Sequence, residues 1–189
     1  MDERDASILA PLAGFYAAAG CALPAAEAIA DGDVPSEQRA LLRAPEPLTP
    51  RLETRHGARL ALRVLERRRV GDRYARRVVL ARADGVPVAM GAIAMDLARL
   101  DARTRAAVLA EDVPFGHILG DAIAEPDALL RVACDASIAA ALELEAGAPG
   151  WLYGRRRTIR DAAGAPIASV VEILAPESPP RVRARRTGS

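Results

Sequence analysis

Aromatic residues are scarce: one tryptophan, three tyrosines and two phenylalanines make up 3% of the 189 residues. The interior must therefore be built from Ala, Leu, Val and Ile, and it has ample material, since 51% of the chain is hydrophobic. Two cysteines, Cys21 and Cys134, are too few for a disulfide framework and read as buried small residues in a reducing cytoplasm. Two histidines and two cysteines at wide spacing do not make a zinc site, so no metal is expected. No nucleophile elbow or Ser-His-Asp arrangement is visible, and no βαβ unit carries a Gly-rich phosphate loop. Charge of one sign is also missing. With 26 basic and 25 acidic residues the net charge is +1, which is no electrostatic footprint for nucleic acid. No apolar run approaches the ~20 residues of a membrane span. The apolar stretch 8–19 follows Met-Asp-Glu-Arg-Asp, an acidic start where a secretory leader is basic. The expectation is a soluble cytoplasmic protein with neither membrane nor nucleic acid as partner. Its length suits one domain, 1–180, followed by a basic tail at 181–189 that lacks apolar periodicity and is expected to be disordered.

What is present alternates between two periods. Ile8, Leu9, Leu12, Phe15 and Tyr16 fall at helical spacing over 6–19, and 36–43 makes a short helix. Pro45, Pro47 and Pro50 then turn 44–50 into an extended connection. Strands are expected at 59–69, 74–83 and 86–95, the last two joined by Asp84-Gly85, a hairpin signal. Residues 96–110 are helical in composition, Pro114 and Gly116 break the chain, and 126–146 reads as the longest helix. Two more strands, 151–160 and 166–175, are joined by Asp161-Ala-Ala-Gly164. Two antiparallel hairpins among helices specify an α+β domain with an antiparallel sheet.

Two charges stand out against this pattern. In the strand at 74–83, one face carries Ala75, Arg77, Val79, Ala81 and Ala83, apolar except for Arg77. The mixed face carries Arg76 and Arg82, which read as solvated. In 166–176, Glu172 is the sole charge and shares its face with Ala168, Val170 and Leu174. A buried isolated charge costs several kcal/mol, so such residues persist when they are paired or serve a site. Arg77 and Glu172 therefore form either a structural salt bridge, an exposed edge, or a sheet-lined pocket with an Arg fork for a carboxylate and a Glu for a hydroxyl. Arg156 shares its face with Leu152, Gly154 and Thr158 and is a candidate to assist anion binding. Arg131 has helical-spacing partners in Asp127 and Asp135, or reaches the pocket from a lid. His117 is a lesser catalytic candidate.

Several segments resemble chorismate pyruvate-lyase. They are Leu152-Tyr-Gly-Arg-Arg-Arg-Thr-Ile-Arg followed by a turn and Pro166 to Pro179, Arg77-Val-Val-Leu-Ala-Arg-Ala-Asp-Gly-Val-Pro, Val113-Pro-Phe-Gly-His-Ile-Leu119, and Leu48-Thr-Pro-Arg-Leu-Glu53. Together they cover most of 45–180. The resemblance implies a six-stranded antiparallel sheet with an enclosed site under helical flaps. It also implies cofactor-independent cleavage of chorismate to 4-hydroxybenzoate, or a related hydroxybenzoate, and pyruvate. Carried over, Arg77 and the backbone at Phe115 and Gly116 bind the ring carboxylate, Glu172 meets the ring hydroxyl and Leu48 covers the ring, Arg77 and Glu172 being the catalytic pair. Leu48 stands for the family's Met, Phe115 for a Leu and His117 for an Arg. The alternative within the same fold is a non-catalytic domain that senses an aromatic acid.

Overall fold

The computed structural model describes residues 8–119, 126–145, 149–161 and 163–176. In chain order its elements are α1 (Ala10–Ala18), β1 (Ala26–Ile29), α2 (Ser36–Leu42), α3 (Leu48–His56), β2 (Ala61–Val70), β3 (Arg73–Ala81), β4 (Pro87–Asp96), α4 (Ala102–Ala110), α5 (Phe115–Ile118), β5 (Ala128–Ala133), α6 (Ala136–Ala141), β6 (Trp151–Arg160) and β7 (Pro166–Leu174).

Both expected hairpins form, and turn chemistry explains them. Gly85 and Gly164 adopt φ of 85° and 80°, which only glycine takes without strain. The Asp84 carboxylate accepts from the Val86 N–H at 3.3 Å, and Asp161 accepts from the Ala163 and Ala165 N–H groups at 3.0 and 2.9 Å. The strands join in the order β1-β5-β6-β7-β4-β3-β2, antiparallel at every pairing. The fold is α+β with one seven-stranded sheet.

Helices lie on both faces. On one, Leu12 and Tyr16 of α1 pack with Val79, Leu130, Val132 and Val171. On the other, Leu42, Leu48 and Leu52 of α2 and α3 pack on Leu80 and Leu174, while Val108 of α4 joins Ile93 and Ile159.

Four sequence expectations require correction. Residues 126–146 are not one helix. Their first part is β5, which fills the place beside β6 and buries Leu130 and Val132, each 0% exposed. A strand position with both neighbours waiting outweighs the helical propensity of an Ala-rich segment. Only α6 keeps the helix, capped by Asp135, whose carboxylate accepts from the Ile138 N–H at 2.8 Å. The connection 44–50 is extended only to Pro47, which precedes the first turn of α3. Cys21 is exposed and Cys134 half-buried. The seventh strand, β1, is four residues long and carries no periodic signal. The tail at 181–189 lies outside the described residues.

Gly154 of β6 pairs with Ile173 of β7. A Cβ there would strike the Glu172 carbonyl oxygen and crowd Ile173 Cα at 3.3 Å. Because backbone cannot yield as a side-chain tip does, Gly154→Ala should lower unfolding free energy by about 2 kcal/mol or more in urea titration. An unchanged midpoint would show that the two strands part without cost.

Candidate ligand-binding site

Period-two alternation decides what meets what. Arg77 pairs in register with Ala92, and Ala92 with Val171; Val78 pairs with Gly91, and Gly91 with Glu172. Directly opposed residues share a face. Glu172 therefore points to the side of Val78 and Arg76, and Arg77 to the other. The expected Arg77–Glu172 pair does not form. Arg77 instead donates to the Ser137 hydroxyl at 2.9 Å and lies 3.3 Å from the Glu66 carboxylate, beneath the face that α1 covers.

Arg76, expected in solvent, is 1% exposed. It stands in the wall of a cavity of about 460 Å³, counted out to the surrounding solvent. Val78, Gly91, Ile93 and Val170 form its floor, with Glu172 at one side. Leu48 and Thr49 from α3, and Phe115 and Gly116 from α5, form the roof. Four of the expected site residues thus converge: Leu48, Phe115, Gly116 and Glu172. Arg156 does not. It lies on the opposite face, in register with Val171, with its Nε 3.9 Å from Asp127. Arg131 neither reaches the pocket nor pairs along a helix; it meets Glu27 across β1 and lies over the Trp151 ring at 4.7 Å.

Glu172 has a partner that the sequence reading passed over. Arg155, 0% exposed, donates from Nε to Glu172 Oε2 at 2.5 Å. Its other nitrogens donate to the carbonyls of Ala44 at 2.7 Å, Glu46 at 3.1 Å and Leu42 at 3.4 Å. Arg157 donates to the Pro45 and Glu46 carbonyls at 2.8 and 3.2 Å. The connection leading into Leu48 is thereby tied to the sheet by two guanidinium groups. The signal for this was the run Arg155-Arg156-Arg157, whose alternate members must face opposite sides. The ladder puts 155 and 157, not 156, toward the pocket.

Arg76 is placed differently. It makes no salt bridge among the described residues, and its two terminal nitrogens reach the Val108 and Val113 carbonyls only at 3.4 and 3.3 Å. Its more distant counter-charge is Glu111, which accepts from the Tyr74 hydroxyl at 2.6 Å and from Arg67 at 2.7 Å. Burial pushes the Glu111 carboxyl up, but Tyr74 and Arg67 outweigh it and hold the carboxyl below its ordinary value. Burial, helped by the bond to Glu111, pushes the Tyr74 hydroxyl up to about 12.

The roof is latched at its outer edge. His117 Nε2 lies 3.1 Å from Glu53 Oε1, and Arg59 lies 3.2 Å from Glu53 Oε2. Glu53 also accepts from the Leu60 N–H at 3.0 Å. Burial raises the Glu53 carboxyl, yet these partners together hold it low. Gly116 permits the close seating of α5 on α3, since a Cβ there would meet Thr49 Oγ1 at 3.0 Å and Pro47 Cβ at 3.2 Å. Among the described residues no three His, Cys, Asp or Glu side chains stand together to hold a metal, and no helix is long and apolar enough to cross a membrane.

No protein-family model matches the chain, and no curated protein sequence matches it. Among solved structures, one similar chain is the ligand-binding domain of a protein assigned to the GntR-family transcriptional regulators of Bordetella bronchiseptica. It is 19% identical at a TM-score of 0.47, over 61% of this chain and 85% of that one. Another is a GntR-family transcriptional regulator from Bacillus cereus, 14% identical at 0.45, over 63% and 93%.

Two measurements test this site. Arg155→Ala should destabilise the fold by about 2–4 kcal/mol in urea titration, because it strands a half-buried carboxylate and the Leu42 and Ala44 carbonyls; a loss below about 1 kcal/mol would mean water replaces the guanidinium freely. The folded protein keeps the Tyr74 proton where the unfolded chain, at the ordinary value of 10.0, gives it up. That stability is fully present below pH 10.0 and is lost as the pH rises toward about 12. The fall in unfolding midpoint over this window should be shallower in Tyr74→Phe, and identical slopes would refute the placement of that proton.

Proposed function

We propose that this chain binds a small aromatic acid in the pocket, with the ligand carboxylate on Arg76 and a ring hydroxyl on Glu172. The observation that carries this reading is a buried guanidinium with no carboxylate of its own, in one apolar cavity with a carboxylate that is already oriented. β3 and β7 are separated only by β4, so the two α-carbons lie about 10 Å apart across the strands and about 7 Å along them. Both side chains are long enough for their tips to converge on one ring-sized ligand. A ligand carboxylate gives Arg76 two short charge-assisted bonds in place of two long ones to carbonyls. Leu48 and Phe115 close over the ring, and Gly91 leaves the floor flat beneath it.

Binding without chemistry is the reading that the polar inventory favours. Glu172 is engaged by Arg155, which suits it to accept a hydrogen bond from a hydroxyl. Thr49, Arg76 and Glu172 are the polar side chains among the described pocket lining. A second reading, a lyase converting chorismate to a hydroxybenzoate and pyruvate, is favoured by a separate observation. Leu48, Phe115, Gly116 and Glu172, brought forward by the resemblance to chorismate pyruvate-lyase, line this one cavity. Elimination from chorismate is driven by aromatisation, so orientation in a dry pocket supplies much of what the reaction needs.

Calorimetric titration with 4-hydroxybenzoate, and pyruvate release from chorismate, examine both readings. Affinity should fall at least about tenfold in Arg76→Gln, the cost of one charge-assisted bond, and stay unchanged in Arg77→Gln. Gly91→Leu should block the floor; a Cβ there meets only ordinary contacts, the nearest at 3.5 Å. Binding that ignores Arg76→Gln and Gly91→Leu would sink the pocket assignment. Pyruvate release that depends on Arg76 would decide for the lyase, and binding without release for the sensor.

A further inference from the structure

The sheet's other face is covered over only part of its length. There α1 packs across β3, β4 and β7. Beyond it the short side chains of Ala75, Ala94 and Ser169 floor an open groove of about 1680 Å³, counted out to solvent. Five arginines line it: Arg68 and Arg69 from β2, Arg73 from β3, and Arg156 and Arg160 from β6. Asp96 is the sole acidic residue of the described lining. In a chain of net charge +1 this is a local concentration, and because the sequence contains no lysine every cation is a guanidinium fork.

Among the described residues, Arg68, Arg69, Arg73 and Arg160 make no salt bridge. Arg68 donates to the Gly14 carbonyl, Arg69 to Gly71 at 3.1 Å and Arg160 to Gly164 at 3.0 Å, all neutral acceptors. Arg73 stands opposite Asp96 in the ladder without a salt bridge to it. Arg156 has only the 3.9 Å approach of Asp127. Its Nε, and the Ser169 hydroxyl beside it in the groove, are buried without a hydrogen-bond partner.

We propose that this groove docks an acidic peptide segment of a partner protein. Spacing selects that occupant. From β6 to β3 is three strand spacings, about 14 Å, and to β2 about 19 Å, so a single small oxyanion cannot engage both banks of arginines. A single-stranded nucleic acid gains much of its affinity by stacking bases on aromatic faces, and the groove's Phe15 and Tyr74 are only 2% and 4% exposed. An extended peptide places alternate side chains about 7 Å apart on one face, which lets carboxylates meet successive guanidinium groups while small apolar residues lie on the alanine floor.

The test uses the full chain and a fluorescein-labelled peptide alternating glutamate and alanine, read by anisotropy. The glutamate peptide should bind, and its affinity should fall at least about tenfold as salt rises from low to several times physiological. The double variant Arg73→Glu with Arg160→Glu, both exposed sites, should lose at least about tenfold at an unchanged melting temperature. A peptide with lysine for glutamate should not bind. The proposal is overturned if the glutamate peptide shows no salt-dependent binding, if the lysine peptide binds as well, or if the double variant binds like its parent. Displacement of the peptide by inorganic phosphate or a single-stranded oligonucleotide at lower charge concentration also overturns it, assigning the groove to phosphate.

Discussion

Arg155 is a full positive charge without contact with water, placed in the middle of the sheet. Removing such a charge from solvent costs several kcal/mol, and the fold offsets that cost with four hydrogen bonds that engage all three nitrogens of the guanidinium. One meets Glu172, and the others meet carbonyls of the segment that joins α2 to α3. Three consequences come from that single group. The carboxylate of Glu172 is fixed in direction, the proline-rich connection is pinned to strand β6, and Leu48 is therefore set over the floor at a defined height. The pocket is a by-product of satisfying this one cation, which is why it has an apolar roof and a polar side.

Much of the sheet was legible because it is written in period two and in turn residues. The strand runs at 74–83 and 166–175, the Asp84-Gly85 turn and the Asp161 to Gly164 turn all lie within a few residues of where alternation and positive φ require them. The face of a strand was less legible. Arg76 and Arg77 are adjacent, and a one-residue error moves a side chain from one side of the sheet to the other. Arg77 lies among alanines, which looked like the interior. Arg76 lies with Tyr74, Val78 and Leu80, and those larger side chains were the better sign of a buried face. The same ambiguity misplaced Arg156 against Arg155.

Glu172 was legible as a lone charge in an apolar strand, whereas Leu48, Phe115 and Gly116 came only from the resemblance to chorismate pyruvate-lyase. The segment at 126–146 was misread for a different reason. Alanine and leucine serve a helix well, and nothing local records that β6 has an empty flank. Tertiary pairing with Trp151 to Arg156 decides the matter, and that pairing has no signature within the segment itself. Thr49 and Gly91 escaped because a threonine in a helix and a glycine in a strand acquire meaning only from what lies across from them.

The carbonyls that Arg155 grips belong to residues 113, 111 and 109 positions earlier in the chain. Contacts of such separation close late, since the entropy of the intervening loop must be lost before they form. The segment ahead of α3 cannot take its final place until the last hairpin has been synthesised and has docked. During translation, then, the cavity has neither its β7 side nor its pinned roof until β6 and β7 have emerged, so whatever binds there acts on the folding equilibrium only after the sheet has closed around Arg155.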